Sequence, residues 1–280
     1  MTLLRRGAET YDGAMPSMDR VVTSAVKPGA EPFAFDGDEV GFLLSHGFTG
    51  SPASMVPWGH HLAARGHTVR VPRLPGHGTT WQDMNRTRWT DWYGELSAAL
   101  DELRDRCEHV VVAGLSMGGC LALRLAEQRP DDVDALALVN PALGVRRFDV
   151  KLVPLLQWVV PSMAGIGNDV KKEGVDEIGY DRTPLKALAS QLAMWKDVRA
   201  GLDRVQCPVL LFRSEDDHVV DTTTLDLLRA GLAESVVEHV SLIDSFHVAT
   251  LDHDAPLIFQ RTDAFVAEHV LGREHGPADA

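Results

Sequence analysis

The chain reads as an α/β protein, a mostly parallel sheet flanked by helices and interrupted by one small insertion. Two observations predict this. Short apolar runs alternate with longer segments of helical period along most of the 280 residues. Most of those runs are continuously apolar rather than alternating, as expected of strands covered by helices on both faces.

Residues 1 to about 30 mix Gly, Pro and charge without periodicity and read as a loosely ordered leader. Strands are predicted at Val40–Ser45, Thr68–Pro72, His109–Ala113, Ala135–Val139, Val209–Arg213 and Glu238–Leu242. Helices are predicted at about Ser54–Arg65, Thr90–Asp105, Met117–Gln128, Leu185–Leu202, Thr223–Leu232 and Ala255–His269. More than forty residues separate the strand ending near Asn140 from the helix starting near Leu185, too many for a structureless loop inside a compact domain. We therefore read 141–184 as a cap inserted into a core made of 31–140 and 185–271. The remaining 272–280 reads as a flexible tail.

Composition narrows the function. The 27 Lys and Arg stand against 40 Asp and Glu, a net charge of −13, so no positive field exists to attract nucleic acid or an anionic membrane surface. Cys107, Cys120 and Cys207 are far apart and form no C-x-x-C or Cys/His zinc spacing, so they read as reduced, buried thiols. Neither a signal h-region nor a run of about 18 apolar residues is present, which points to the cytoplasm. No metal and no cofactor are implied.

The chemistry is concentrated at His109–Gly119. Val110–Ala113 leads into Gly114-Leu115-Ser116-Met117-Gly118 and then a helical pattern, which is strand, G-x-S-x-G, helix. A serine on so tight a turn takes strained backbone angles, and glycines two positions either side let neighbouring chain approach. Ser116 is the candidate nucleophile.

A serine hydroxyl needs a base to take its proton and a carboxylate to orient that base. In this architecture the chain order is Ser, acid, His. After Val209–Arg213 comes Glu215-Asp216-Asp217-His218-Val219-Val220, and Asp217 is the candidate acid with Asp216 its competitor. His247 follows the last predicted strand, where the base is required. His218 precedes that strand and is the weaker candidate, while His60, His61, His67, His109, His239, His253 and His269 read as surface or packing residues. An oxyanion hole needs two backbone N–H groups, and these are assigned to Met117, next after the nucleophile, and Phe48, on the His46-Gly47 turn after the first strand.

Five stretches, in order and spacing, now resemble the α/β-hydrolase family: HGFTGSP at 46–52, PRLPGHGT at 72–79, GLSMGG at 114–119, DHVV at 217–220 and SFHVATLD at 245–252. Within that family they are most similar to bacterial monoacylglycerol lipases and the related carboxylesterases of bacilli, over about Val40 to His269. The resemblance implies ester hydrolysis through Ser116, Asp217 and His247, and a small cap over the pocket. It also implies that Glu177, by position in the cap, reaches the glycerol hydroxyls. The corresponding alternatives are a general carboxylesterase or thioesterase in the same fold, and a binding module without catalysis.

The cap has its own signal. Phe148, Val150, Leu152, Val153, Leu155, Leu156, Trp158, Val159, Val160 and Met163 are too dense for one face of a solvated helix. Together they suit an acyl tunnel and transient contact with a lipid interface, whereas singly each reads as packing of the cap onto the core. Gly76-His77-Gly78-Thr79 reads as a structural turn, and Trp81, Trp89, Trp92 and Tyr93 as core packing.

Overall fold

The computed structural model describes residues 24–146, 149–165, 167–232 and 237–272. Most of the expected leader, nearly all of the expected tail, and Phe148 lie outside the described residues.

A seven-stranded sheet carries the fold. Its strands are β1 (Phe33–Phe35), β2 (Val40–Ser45), β3 (Thr68–Val71), β4 (His109–Leu115), β5 (Ala135–Val139), β8 (Val209–Ser214) and β9 (Val237–Leu242). The order across the sheet is β1-β3-β2-β4-β5-β8-β9, parallel throughout except β1, which pairs antiparallel to β3 with Phe33 opposite Val71. β1 has no sequence-level counterpart, because three residues are too short to establish a period. The six longer strands fall within a residue or two of expectation.

β2, β3, β4, β5 and β8 are buried along almost their whole length, which explains their continuous apolar runs. The edge strand β9 instead alternates, with Val237 exposed and Leu242 buried. One helical layer comprises α3 (Trp89–Arg104), α4 (Met117–Gln128) and α6 (Leu185–Arg199), and it closes a core around Leu96, Leu121, Met194 and Val112. The opposite layer, α1 (Val56–Ala64) and α8 (Ala255–His269), closes a second core around Trp58, Phe42, Phe212 and Phe265. Each large side chain fully buried there contributes about 1.5–3 kcal/mol from removal of apolar surface. Two further helices, α2 (Trp81–Met84) and α7 (Thr223–Gly231), belong to the core.

Residues 141–184 lie between β5 and α6. They hold one short helix, α5 (Val153–Leu156), and a two-stranded antiparallel pair, β6 (Ser162–Ala164) with β7 (Arg182–Pro184). Along the sheet, β3 and β4 lie on opposite sides of β2, so the winding direction reverses between β2 and β4. The crevice at the carboxyl ends of those two strands is where open α/β sheets place ligands.

Candidate active site

Ser116 sits at that reversal, between the end of β4 and the start of α4, with φ 55° and ψ −114°. Such angles are costly for a residue with a Cβ and persist only where the surroundings enforce them. Here they do. Ser116 N–H donates to the Val139 carbonyl at 2.9 Å and its own carbonyl accepts from Ala142 N–H at 3.1 Å. The flanking glycines are obligatory for a visible reason: a Cβ on Gly114 would lie 2.3 Å from the Gly118 backbone, and one on Gly118 would lie 2.1 Å from the Ser45 carbonyl oxygen. The turn is thus pressed against the end of β2, which brings the β2 loop to the serine. A Cβ on Gly47 would lie 3.5 Å from Ser116 Cβ.

That loop is braced by buried histidines. His46 Nε2 accepts from Leu74 N–H at 3.2 Å, so its proton is on Nδ1, 3.0 Å from the Gly47 carbonyl. Burial pushes its pKa down to about 4, keeping the ring neutral. His77 packs edge-on at 4.9 Å from His46 and 5.3 Å from Trp92, and Trp92 Nε1 donates to Pro75 O and Thr87 Oγ1. Trp92 in turn meets Phe48 edge-on at 6.0 Å. The PRLPGHGT stretch is therefore scaffold for the Phe48 loop, and its Gly76 and Gly78 take φ of +75° and +68°.

His247 Nδ1 lies 2.9 Å from Asp217 Oδ2. The second carboxylate oxygen accepts from the Val219 and Val220 amides at 2.8 and 2.9 Å, and Arg213, from β8, donates to Oδ2. Burial raises the Asp217 pKa, but the His247 ring and the Arg213 guanidinium outweigh it and hold the carboxyl below its ordinary value. Asp216 is exposed and lies 3.5 Å from the His218 ring. His218 Nδ1 pairs with Asp169 at 2.8 Å and its ring meets Phe246 edge-on at 4.6 Å. The geometry thus separates the two carboxylates and the two histidines that sequence left in competition.

Ser116, Phe48, His247 and Glu177 line one cavity of about 190 Å³, whose other walls include Val145, Val150, Val153, Met163, Leu188 and Trp195. Glu177 arrives from the inserted segment. A Cβ on Gly50 would lie 2.4 Å from Glu177 Oε1, so the glycine of HGFTGSP is what admits this carboxyl. Burial raises the Glu177 pKa to about 7 against the opposing influence of His247. Three residues on, Tyr180 ties the segment down. Its N–H donates to Thr49 O at 3.1 Å, and its hydroxyl donates to Gly76 O at 2.7 Å and accepts from Thr79 N–H at 2.9 Å.

Three supporting residues went unrecognised in the sequence. Arg213 is a charge at the end of a buried strand, four residues before the acid, and that spacing was a usable signal. Asn140, at φ 44°, donates to His247 O at 2.8 Å and binds Ser214 N–H and Oγ at 2.8 and 2.9 Å. Asp169 accepts from His247 N–H at 3.0 Å, a contact across 78 residues that no local pattern announces.

The strand–serine–helix turn at the switch point, with an acid after β8 and a histidine after β9, defines an α/β-hydrolase. Comparison with known proteins makes this specific: the chain belongs to the serine aminopeptidase S33 family (Hydrolase_4), whose model matches residues 41–254. It is 40% identical to the thermostable monoacylglycerol lipase of Bacillus sp. (strain H-257), over 87% of this chain and 97% of that one. It is 24% identical to a carboxylesterase of Bacillus subtilis (strain 168), over 84% and 96%. A solved structure from work on LipS and LipT, two metagenome-derived lipolytic enzymes, superposes with a TM-score of 0.84 at 39% identity, covering 88% of this chain and all of that one. The fold is also shared with the Paleococcus ferrophilus monoacylglycerol lipase, at TM-score 0.71 and 19% identity, over 85% and 98%.

Proposed function

We propose that the protein hydrolyses the carboxylic ester of a monoacylglycerol through an acyl-enzyme on Ser116. The observation that carries this reading is the joint presence, on one cavity, of Ser116, His247 and a half-buried carboxyl, Glu177, beside apolar walls. Likeness to the Bacillus lipase over 87% of the chain supports it.

With Nδ1–H directed at Asp217, His247 has Nε2 left to take the Ser116 proton. Ser116 attacks the ester carbonyl, and the negative charge that develops on oxygen is met by the Met117 and Phe48 amides. Met117 opens α4, so its N–H has no intrahelical acceptor. His247 then passes its proton to the departing glycerol, and activates the water that releases the fatty acid. Asp217 stays ionised throughout. The cycle needs neither metal nor cofactor, because nucleophile, base and oxyanion donors all belong to the chain.

In this reading 141–184 is a cap, its Glu177 receives the glycerol hydroxyls, and Val150, Val153 and Met163 guide the acyl chain. The outer face of the cap carries Leu155, Trp158 and Val159, exposed by 74, 75 and 77%. Such a patch suits transient contact with a lipid interface from which the substrate is drawn. Among the described residues no helix is long and apolar enough to cross a membrane.

The test is hydrolysis of a medium-chain monoacylglycerol, the matching di- and triacylglycerols and a simple short-chain ester, with Ser116→Ala as blank. The monoacylglycerol is expected to be preferred. Equal or faster turnover of the simple ester would make the enzyme a general carboxylesterase, and rates equal to the blank would leave a binding module.

A further inference from the structure

One residue of the inserted segment holds two consecutive amides of the loop that carries His247. Asp169 Oδ2 accepts from His247 N–H at 3.0 Å, and the Asp169 carbonyl accepts from Val248 N–H at 3.0 Å. On the other side, Asn140 donates to the His247 carbonyl at 2.8 Å. The backbone of the base is thus clamped between the end of β5 and the segment over the cavity. The Asp169 side chain is 12% exposed, and its remaining oxygen pairs with the His218 ring at 2.8 Å.

The clamp is part of a larger docking site. Asp252, 2% exposed, accepts from Lys171 N–H at 2.7 Å and Lys172 N–H at 3.0 Å, and also from Phe246 N–H at 3.0 Å. One buried carboxylate therefore joins the residues just after Asp169 to the residue just before His247. Neighbouring Asn168 links the same loop to the other end of the cavity, for its Oδ1 accepts from Glu177 N–H at 2.9 Å and its amide donates to Val175 O at 2.9 Å. Adjacent residues thus hold the backbones of His247 and Glu177.

We propose that Asp169 is a positioning residue for the general base, and that the triad is fully assembled only when the 168–172 strip is seated on the His247 loop. The inference rests on the reading of Ser116 and His247 as nucleophile and base, and it adds a condition that the triad alone does not contain. A hydrogen-bond acceptor placed on the backbone of a base fixes the ring through the main chain, and Asp169 does so from the wall of the cavity it lines with His247. Its loss misplaces Nε2, and a displacement of about 1 Å there costs on the order of 10²-fold in rate.

The experiment uses the full chain, p-nitrophenyl butyrate as a substrate without glycerol, and an alkyl fluorophosphonate that labels an activated serine irrespective of ester. Asp169→Ala is expected to lower kcat by about 30–100-fold with KM within threefold, and to slow phosphonylation of Ser116 in parallel. Asp169→Asn keeps an oxygen that accepts the His247 amide, and is expected to recover kcat to within about fivefold of the parent. Should the alanine variant fail to fold, Asp169→Glu, which shifts the carboxylate by one methylene, is expected to lose at least about tenfold in kcat at unchanged KM. Alanine or glutamate variants within twofold of the parent in kcat, or an asparagine variant no better than alanine, would overturn the positioning role. A parent protein that is not phosphonylated at Ser116 would overturn the hydrolase reading itself, a result distinct from equal labelling of parent and variant.

Discussion

Ser116 and Glu177 face the same cavity from two regions built in different ways. The turn around Ser116 is enclosed by sheet and helix, and its shape is set by backbone against backbone, as the 2.1 Å between a notional Gly118 Cβ and Ser45 O makes plain. The segment around Glu177 has little regular structure and is held at points: Tyr180 on Thr49, Gly76 and Thr79, Asp252 on Lys171 and Lys172, and Asn85 on Pro161. The first region is over-determined and the second rests on a handful of hydrogen bonds. In the proposed function, the chemistry that must not move belongs to the first region, and the recognition that must admit and release a substrate to the second.

The sharpest way to test the rigid region is at the acid. Asp217→Asn should lower kcat by about 10⁴-fold, since it leaves His247 in the wrong tautomer, while Asp216→Asn stays within about threefold. Steady-state kinetics on any accepted ester would check both, and a large loss at Asp216 would move the acid by one residue. The point-held region is best loosened at Tyr180. Tyr180→Phe deletes the hydroxyl that Gly76 O and Thr79 N–H share, leaving two buried backbone groups unpaired. It should cost about 1–3 kcal/mol in denaturant unfolding and lower kcat/KM more than kcat on a short ester is lowered by any exposed substitution in the same segment.

The second region also carries a pH dependence. Burial raises the folded-state pKa of Glu177 from 4.5 to about 7, so its neutral form favours the fold. That stability is fully present below pH 4.5 and is lost as pH rises through about 7. Glu177→Gln should therefore raise Tm at pH 8 by about 3–8 °C and leave it nearly unchanged at pH 4.5. Differential scanning calorimetry at the two pH values would check it, and an equal shift at both would place the effect in packing rather than in charge.

How much of this was readable in the sequence follows the same division. β4, α4 and the serine between them were legible because a buried parallel strand is a continuous apolar run and the glycines around Ser116 have no steric alternative. Asp217 and His247 were legible from chain order, but Asp216 and His218 stayed in competition because only distance separates them. The three-residue β1, β6 and β7 carry no period, and α5 is a four-residue turn. Asp169 and Asn140 act on His247 through contacts 78 and 107 residues long in sequence, and nothing local marks either. Gly50 read as part of a loop motif, and its reason, room for the Glu177 carboxyl, needed the fold.

The central claim is that the core performs ester cleavage and the inserted segment selects the glycerol ester. Its most direct test is kcat/KM for a medium-chain monoacylglycerol and for the methyl ester of the same acid, measured on the parent and on Glu177→Gln. The account predicts a loss at least tenfold greater for the monoacylglycerol than for the methyl ester, because only the former presents hydroxyls to Glu177. Equal losses on the two esters would contradict it and assign Glu177 to the architecture of the cavity instead.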